Sequence, residues 1–386
     1  MTVEQKILLP SATAEQLLEA TDVTVVDLRS PSEFADDHVL GAVNAPLFDD
    51  AERAIVGTLY RQRGTDPAFE AGLRITRAKI AALVGHIAAS SGRSLESADL
   101  EAHVRALGEG GMGDMRARLV PELARELPDG ALVVACWRGN LRSQSVAALL
   151  RRVGLGDVYF LSGGYKAWRR LVRQRLESWT PPPSFTLRGL TGVGKSVVLR
   201  ELERLRPNWT LDLELLAGHR SSILGMVGLE PVTQKVFERR LVERIQRGFP
   251  GRVVVEGESR KVGDVVLPER VWQTVKDGVA IELVADVPRR IEVLMEDYLA
   301  ESDNREHLLR QLPFIEQRLG RTKYAGVLTG MLSDGREEEL VALLLEKYYD
   351  PLYRHSEKGI QYATRISSDE PEVAATEIAA WIETQG

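Results

Sequence analysis

The chain has 386 residues, of which 44% are hydrophobic and 27% charged, and its formal net charge is −6. This length favours two domains with substantial cores, and the acidic balance excludes a uniformly basic nucleic-acid-binding surface. No apolar run is long enough to cross a membrane, and the N-terminal residues lack the pattern of a signal peptide, so we expect a cytoplasmic protein. A single cysteine excludes intrachain disulfides and multi-cysteine metal sites.

Three segments precede this cysteine. Residues 11–20 combine an N-cap serine with the apolar spacing of a helix, and residues 23–27 predict a strand. Asp27 and Arg29 then lie at the rim of a sheet, where a salt bridge explains the pair better than catalysis does. From about residue 57 to residue 127 the pattern is helical and charged, which we interpret as a helical insertion. The sequence does not indicate its function.

The cysteine, Cys136, follows a buried apolar strand over 132–135 and precedes a helix over 143–150. A loop of this length can turn its N–H groups towards the sulfur. Arg138 and Arg142 add positive charge, and such surroundings stabilise a thiolate. We therefore predict a reactive cysteine in an oxyanion-binding loop, with a buried structural cysteine as the alternative. The predicted loop residues after the cysteine are Trp137, Arg138, Gly139, Asn140, Leu141, Arg142 and Ser143.

Three motifs resemble signatures of the rhodanese superfamily, in which a cysteine carries sulfur or selenium. They are the segment 25–46 that begins VVDLRS, the loop CWRGNLRS at 136–143, and LSGGYKAW at 161–168. The resemblance implies a parallel α/β domain over residues 1–180 with Cys136 as its catalytic residue. The loop spacing also matches cysteine-dependent phosphatases, but no acid stands out that would protonate a leaving group.

An arginine-rich helix is predicted over residues 165–176. Its four arginines, between positions 169 and 175, are either a solvated helix face or an edge that contacts RNA. Three consecutive prolines at 181–183 then predict a stiff spacer. We place the domain boundary between residues 180 and 181.

The second domain opens with a predicted strand over 185–188 and the segment GLTGVGKS, which fits the phosphate-loop pattern G-x-x-x-x-G-K-[ST] in every position. The N–H groups of such a loop approach phosphate oxygens, its lysine neutralises their charge, and Ser196 is a candidate ligand for Mg²⁺. We therefore expect a P-loop NTPase/kinase-like parallel α/β domain over 181–386 that binds a phosphate or pyrophosphate substrate. The predicted loop residues are Gly189, Leu190, Thr191, Gly192, Val193, Gly194, Lys195 and Ser196.

Acidic residues follow two further predicted strands of this domain. Asp212 and Glu214 lie at the end of one, and Glu256 and Glu258 lie at the end of the other. Phosphate-loop proteins hold a metal-associated carboxylate at such a position, although a salt bridge explains one residue of the second pair equally well. The basic candidates near these acids are His219, Arg220 and Arg260. Residues 302–323 predict a cationic helix, either a lid over phosphates, an RNA contact or an ordinary charged face.

A rhodanese-like domain joined to a phosphate-loop domain resembles the tRNA 2-selenouridine synthase family over nearly the whole chain. The motifs that carry this resemblance are CWRGNLRS at 136–143, GLTGVGKS at 189–196, LDLELLAGHRSS at 211–222, EGESRKVGDVVLP at 256–268 and YYDPLYRHS at 348–356. The chain has Asn140-Leu141 where we expect Gly-Met, and Gly218 and Ser221 where we expect Asn and Gly. These departures bear on loop flexibility.

The resemblance implies a two-step exchange at the wobble 2-thiouridine of tRNA. Geranyl pyrophosphate first alkylates the sulfur, and selenium from selenophosphate then displaces the S-geranyl group. Lys195 and Ser196 would hold the pyrophosphate and Cys136 would accept selenium, with no tightly bound cofactor, Mg²⁺ as a candidate ion and no membrane partner. The alternatives are an ATP-dependent tRNA sulfurtransferase that activates the base through the phosphate loop, and a non-catalytic RNA-binding adaptor.

Overall fold

The computed structural model describes residues 6–95, 99–299, 302–352 and 357–385. The chain divides into two compact units, Met1–Gln174 and Arg175–Gly386. The division falls inside the helix Gly164–Ser178, earlier than the proline spacer. In the second unit, the ring of Trp179 packs against that of Phe249 at 6.0 Å. Within the described residues, no helix combines the length and the apolar composition needed to span a bilayer.

The first unit is built on a six-stranded parallel sheet in the order β3-β2-β5-β6-β1-β4. Its strands are β1 Ile7–Ala12, β2 Val23–Asp27, β3 Val43–Asn44, β4 Leu119–Leu123, β5 Ala131–Ala135 and β6 Val158–Leu161. Its helices are α1 Ala14–Glu19, α2 Pro31–Asp36, α3 Asp50–Arg63, α4 Thr65–Ser90, α5 Leu100–Gly108, α6 Gly111–Arg118, α7 Leu141–Arg152 and α8 Gly164–Ser178.

Two predictions for this unit are wrong in detail. The helix expected over 11–20 is shorter, because Ser11 belongs to β1 and Thr13 caps α1 through a reciprocal capping box. The helical insertion consists of α3 to α6, but its last predicted turn is β4, which pairs with β1 at the edge of the sheet. An edge strand tolerates Pro121, since its proline needs no N–H partner there.

The second unit is built on a five-stranded parallel sheet in the order β13-β12-β7-β9-β8. Its strands are β7 Ser184–Arg188, β8 Thr210–Leu211, β9 Val253–Glu256, the hairpin strands β10 Lys261–Val262 and β11 Val265–Val266, β12 Val279–Val284 and β13 Tyr362–Ser367. Its helices are α9 Lys195–Leu205, α10 Leu213–Ala217, α11 Gln234–Gln246, α12 Glu269–Asp277, α13 Val287–Leu299, α14 Ser302–Tyr324, α15 Val327–Ser333, α16 Glu337–Leu344 with the π-helix Leu345–Tyr349, and α17 Pro371–Glu383.

The position of β7 explains where a ligand would bind in this unit. It is the central strand, and the chain crosses from it to β8 and β9 on one side and to β12 and β13 on the other. Such a switch point opens a crevice at the carboxyl ends of parallel strands. The α/β fold predicted for both domains is confirmed. In the aromatic segment at 348–356, Tyr348 and Tyr349 pack in the core, and residues 353–356 lie outside the described residues.

Candidate active sites

The cysteine loop lies at the carboxyl end of β5, before α7. Cys136 is only 1% exposed, so the thiol is more buried than in most reactive cysteines. Its Sγ lies 3.2 Å from the Oγ of Ser143, and that hydroxyl donates to the main-chain oxygen of Asn140 at 3.1 Å. The sulfur therefore has a polar neighbour that the loop itself holds in place.

Two glycines allow the loop to pack against the beginning of α8. A Cβ at Gly139 would lie 2.2 Å from the oxygen of Leu161, and a Cβ at Gly164 would lie 2.2 Å from the oxygen of Cys136. The N–H of Tyr165 donates to that same oxygen at 2.8 Å. The LSGGY motif is thus the surface on which the cysteine loop rests.

A buried ionic network joins β2 to α8 beside this loop. Arg29 and Asp27 form an ion pair at 2.6 Å and are almost fully buried, which confirms the predicted salt bridge. Arg29 also donates to the oxygen of Asp37 at 2.7 Å and lies 3.7 Å from the ring centre of Tyr165. The Tyr165 hydroxyl donates to Asp37 at 2.9 Å, and burial, with the Asp37 charge, raises the pKa of this tyrosine. The network therefore connects β2 to α8 beside the cysteine loop.

The loop also presents cations that the protein does not neutralise. Arg138 is exposed and Arg142 is half-buried. Among the described residues, neither side chain forms an ion pair or a hydrogen bond. Asn140 is the N-cap of α7 without a side-chain capping bond, and Gln144, which sequence reasoning missed, donates to the oxygen of Gly139 at 3.0 Å. An oxyanion beside the sulfur would therefore meet two guanidinium groups and a helix N-terminus.

The phosphate loop connects β7 to α9. Lys195 Nζ donates to the oxygen of Gly189 at 3.2 Å, so the lysine reaches back across the loop. The Oγ of Ser196 donates to Oε2 of Glu214 at 3.0 Å. Both side chains that would contact phosphate or its metal ion are thus held by hydrogen bonds from within the protein.

Contacts from two distant elements hold the main chain of this loop. Arg290 of α13 donates from Nε to the oxygen of Thr191 at 2.8 Å. The hydroxyl of Ser368 donates to the oxygen of Val193 at 2.7 Å. Because these contacts occupy carbonyl groups of the loop, its N–H groups are the main-chain groups that would contact an anion.

The acidic candidates form a buried cluster behind Ser196. The N–H of Glu214 donates to Oε1 of Glu256 at 2.6 Å. Burial, and then the charge of Glu258, raises the pKa of Glu214 to about 8. Burial also raises the pKa of Asp212, and it raises the pKa of Glu256 well above its usual range. In the part of the chain that is described, no three His, Cys, Asp or Glu side chains converge as a metal site. Because its pKa is about 8, the Glu214 carboxyl is largely protonated at neutral pH.

The segment AGHRSS brings two of its side chains to the phosphate loop. Arg220 and Ser222 line a cavity of about 60 Å³ beside Lys195. Asp297 of α13 faces Arg220 at 3.3 Å, and Tyr298 lies 3.4 Å from the Ser222 hydroxyl. Burial raises the pKa of Tyr298 to about 12. Sequence reasoning missed both α13 residues, because nothing in their spacing links them to the loop.

The remaining basic candidates do not line that cavity. His219 borders a separate polar pocket with Lys261 and Asp264, and burial lowers its pKa. Its Nδ1 is buried and has no hydrogen-bond partner within the described chain. Arg260 is exposed and forms an ion pair with Glu269 at 2.7 Å.

Two of the residues that differ from the expected motifs, Gly218 and Ser221, have a positive φ angle. Gly218, where we expected Asn, ends α10 in the left-handed region with φ +61°. Ser221, where we expected Gly, also has a positive φ of 49°. A left-handed serine is strained, whereas Asn140 has φ −100° and is not.

A family model described as the tRNA 2-selenouridine synthase AAA domain matches residues 182–385, just over half of the chain. The chain belongs to the tRNA 2-selenouridine synthase family. A second model, described as a rhodanese-like domain, matches residues 103–171, which contain Cys136 and LSGGY. The predicted resemblance is thereby confirmed.

Individual members of the tRNA 2-selenouridine synthase family match both units. Proteins of that name from Azotobacter vinelandii, Marinobacter nauticus and Bordetella petrii are 31%, 31% and 30% identical to the chain. The matches cover 92%, 86% and 86% of this chain and 93%, 88% and 87% of the respective relatives. The matches therefore extend over both units of this chain and about nine-tenths of the length of each relative.

Proposed function

We propose that the chain is an enzyme that converts the wobble 2-thiouridine of tRNA to 2-selenouridine in two steps. Geranyl pyrophosphate alkylates the sulfur, and selenophosphate then supplies the selenium. The observation that carries this proposal is a pair of strand–loop–helix connections, one after β5 and one after β7, at the carboxyl ends of parallel strands. The loop after β5 contains a thiol, Cys136, whereas the loop after β7 contains no cysteine. One loop therefore suits covalent exchange and the other suits a departing phosphate group.

The phosphate loop serves the first step. The thiocarbonyl sulfur attacks the first carbon of the geranyl group, the carbon–oxygen bond breaks, and pyrophosphate leaves. Lys195 and the loop N–H groups stabilise the negative charge that develops on that pyrophosphate. Ser196 is the residue that would ligate Mg²⁺, which would supply further neutralisation of the charge on the pyrophosphate. Because the lysine acts on the leaving group, its removal should slow this step specifically.

The cysteine loop serves the second step. The thiolate of Cys136 adds to C2 of the alkylated uracil and expels geranylthiol, which is a better leaving group than a bare thiocarbonyl sulfur. Selenium of selenophosphate, held by Arg138 and Arg142, then adds to C2 and expels the thiolate. Water finally cleaves the phosphorus–selenium bond and releases phosphate.

Electron counting selects this route. Each bond change is a two-electron substitution, so the sequence consumes no oxidant. Selenium in selenophosphate is already at the selenide level, so its transfer to Cys136 as a selenosulfide would require one. We therefore replace the expected selenium-carrying role of Cys136 with covalent catalysis at C2.

A basic stripe on α8 supports tRNA as the substrate. Lys166, Arg170 and Arg173 are exposed and follow helical spacing, so they share one face. None forms an ion pair among the described side chains, and the N–H of Lys166 donates to the oxygen of Trp137 in the cysteine loop at 3.1 Å. By contrast, Arg169 faces Asp37 at 3.7 Å. The stripe begins at the cysteine loop, where RNA phosphates would position the base.

The direct test uses the purified protein with 2-thiouridine-containing tRNA. Geranyl pyrophosphate is added first without ATP, selenophosphate is added second, and the RNA is analysed by mass spectrometry after each addition. We expect one geranyl group to be gained and then replaced by selenium. If the RNA is modified only when ATP is present, and geranyl pyrophosphate has no effect, the protein is instead an ATP-dependent sulfurtransferase.

A further inference from the structure

An apolar cavity of about 240 Å³ lies within the first unit, between the helical insertion and α7. A single water needs only about 10–15 Å³ on this measure, so the cavity has room for a sizeable group. Side chains from α4, α6 and α7 line it, including Phe69, Leu73, Met112 and Leu149. Hydrocarbon walls of this kind favour an apolar ligand over water. We call it the apolar pocket.

The mouth of the apolar pocket is cationic. An adjoining cavity of about 430 Å³ shares Tyr60 and Arg142 with the apolar pocket and is also lined by Arg53 and Arg61. Arg53 faces Glu33 at 3.6 Å, but its buried Nε has no hydrogen-bond partner among the described residues. Neither Arg61 nor Arg142 forms an ion pair with any other residue that the structure describes. A hydrocarbon interior with guanidinium groups at its mouth fits an amphipathic ligand whose apolar chain is joined to an anion.

The apolar pocket adjoins the cysteine loop. Leu141 and Arg142, which line the pocket, belong to the cysteine loop and begin α7, and Ser145 follows on the next turn. The same short stretch of chain therefore contacts both the pocket and the neighbourhood of Cys136. The pocket is therefore close enough to the loop to receive an apolar chain carried by a molecule bound there.

We propose that the apolar pocket binds the geranyl chain of the S-geranyl-2-thiouridine intermediate while the sulfur of that base is replaced by selenium at the cysteine loop. This assignment rests on the proposed function, because only the second step requires a prenylated base at Cys136. Arg53 and Arg61 contact RNA phosphates beside the base. The helical insertion, whose function the sequence does not indicate, thus selects the alkylated intermediate over unmodified 2-thiouridine.

The test measures binding of two fluorescent anticodon stem-loops that are identical except for S-geranyl-2-thiouridine or 2-thiouridine. Ala68 of α4 lines the pocket and is 4% exposed, so Ala68→Phe fills it. Ala82 is exposed on the same helix and provides the matched control Ala82→Phe. We expect the full-length wild type and the control to bind the geranylated RNA at least tenfold more tightly than the other RNA. Ala68→Phe should abolish this preference.

A second pair of variants avoids the core. Tyr60 is 60% exposed at the mouth, and Tyr60→Ala should weaken the preference at least threefold even if Ala68→Phe fails to fold. Arg61→Gln should weaken binding of both RNAs, whereas Arg63→Gln, on an exposed residue of α3 outside the pocket, should not.

Three results would overturn the assignment. An undiminished preference in folded Ala68→Phe would show that the pocket is an unused void, and so would an unchanged preference in Tyr60→Ala. If Ala68→Phe no longer geranylates 2-thiouridine RNA but still selenates RNA that is already geranylated, the pocket holds geranyl pyrophosphate instead. If the wild type neither geranylates nor selenates RNA, the proposed function fails, but the stem-loop preference still decides what the pocket binds.

Discussion

The cysteine loop and the phosphate loop occupy equivalent positions in their sheets but differ in how their charged side chains are paired. Each follows a buried parallel strand and precedes a helix. In the first unit, Arg138 and Arg142 are unpaired among the described residues while the nucleophile is buried. In the second unit, Lys195 and Ser196 are held by hydrogen bonds, and Ser196 contacts Glu214, whose raised pKa keeps that carboxyl largely protonated at neutral pH. A strand–loop–helix scaffold therefore does not determine chemistry, which depends on the charges that the loop leaves available.

The largest structural effect should come from Gly164→Ala. The new Cβ would lie within 2.2–2.7 Å of three main-chain atoms of the cysteine loop, at a φ of +60°. We expect a loss of about 2–5 kcal/mol in the free energy of unfolding, measured by urea denaturation, together with loss of selenation. Gly113→Ala is the control, because its Cβ would meet nothing within 4 Å. Equal stability of the two variants would contradict the packing of this loop.

The next effect concerns RNA binding to the first unit. Replacing both Arg170 and Arg173 with Gln should weaken tRNA binding and reduce the slope of log affinity against log salt by about 1.4, at about 0.7 per lost single-strand phosphate contact. Fluorescence anisotropy at several salt concentrations measures both quantities. Arg152→Gln is the control, because this exposed arginine of α7 has no ion-pair partner in the part of the chain that the structure describes. An unchanged slope in the double variant would show that the α8 stripe is an ordinary solvated face.

A pH effect should distinguish the second unit. The pKa of Glu214 is raised to about 8, against about 4.3 in an unfolded chain. The folded state therefore binds this proton more tightly, and the free energy of unfolding falls as pH rises between these values. Glu214→Gln cannot titrate, so its decline over that window should be shallower, although Asp212 and Glu256 still contribute. Urea denaturation from pH 5 to 8.5 measures it, with exposed Glu230→Gln as the control. An unchanged or steeper decline in Glu214→Gln would contradict the raised pKa of Glu214.

The smallest effect is expected at Ser221, which has a φ of 49° and a buried hydroxyl without a partner among the described residues. Ser221→Gly should raise the free energy of unfolding by up to about 1 kcal/mol, because it relieves strain and removes the unsatisfied group. Asn208→Gly is the comparison, since its φ of 66° suits asparagine. A larger gain at Asn208 would show that Ser221 is not strained. Thermal denaturation measures both.

Local patterns predicted much of the fold and both loops. Short runs of residues were enough to predict the strand before Cys136, the phosphate-loop motif and the two α/β domains, because each depends on residues that are close together in sequence. The edge strand β4 was missed because a charged segment containing Pro121 resembles a helix until β1 provides its partner. Asp297 and Tyr298 could not be predicted, because only the fold brings α13 to the phosphate loop. The apolar pocket likewise arises between elements that are distant in sequence.

One measurement tests the division of labour most directly. Cys136→Ala and Lys195→Ala are each given two tRNAs, one with 2-thiouridine and geranyl pyrophosphate, the other already S-geranylated and supplied with selenophosphate. Mass spectrometry follows the products. We predict that Cys136→Ala geranylates the first tRNA but fails on the second, and that Lys195→Ala fails on the first but selenates the second. Loss of both reactions in each variant, or retention of both, would contradict the assignment of one step to each loop.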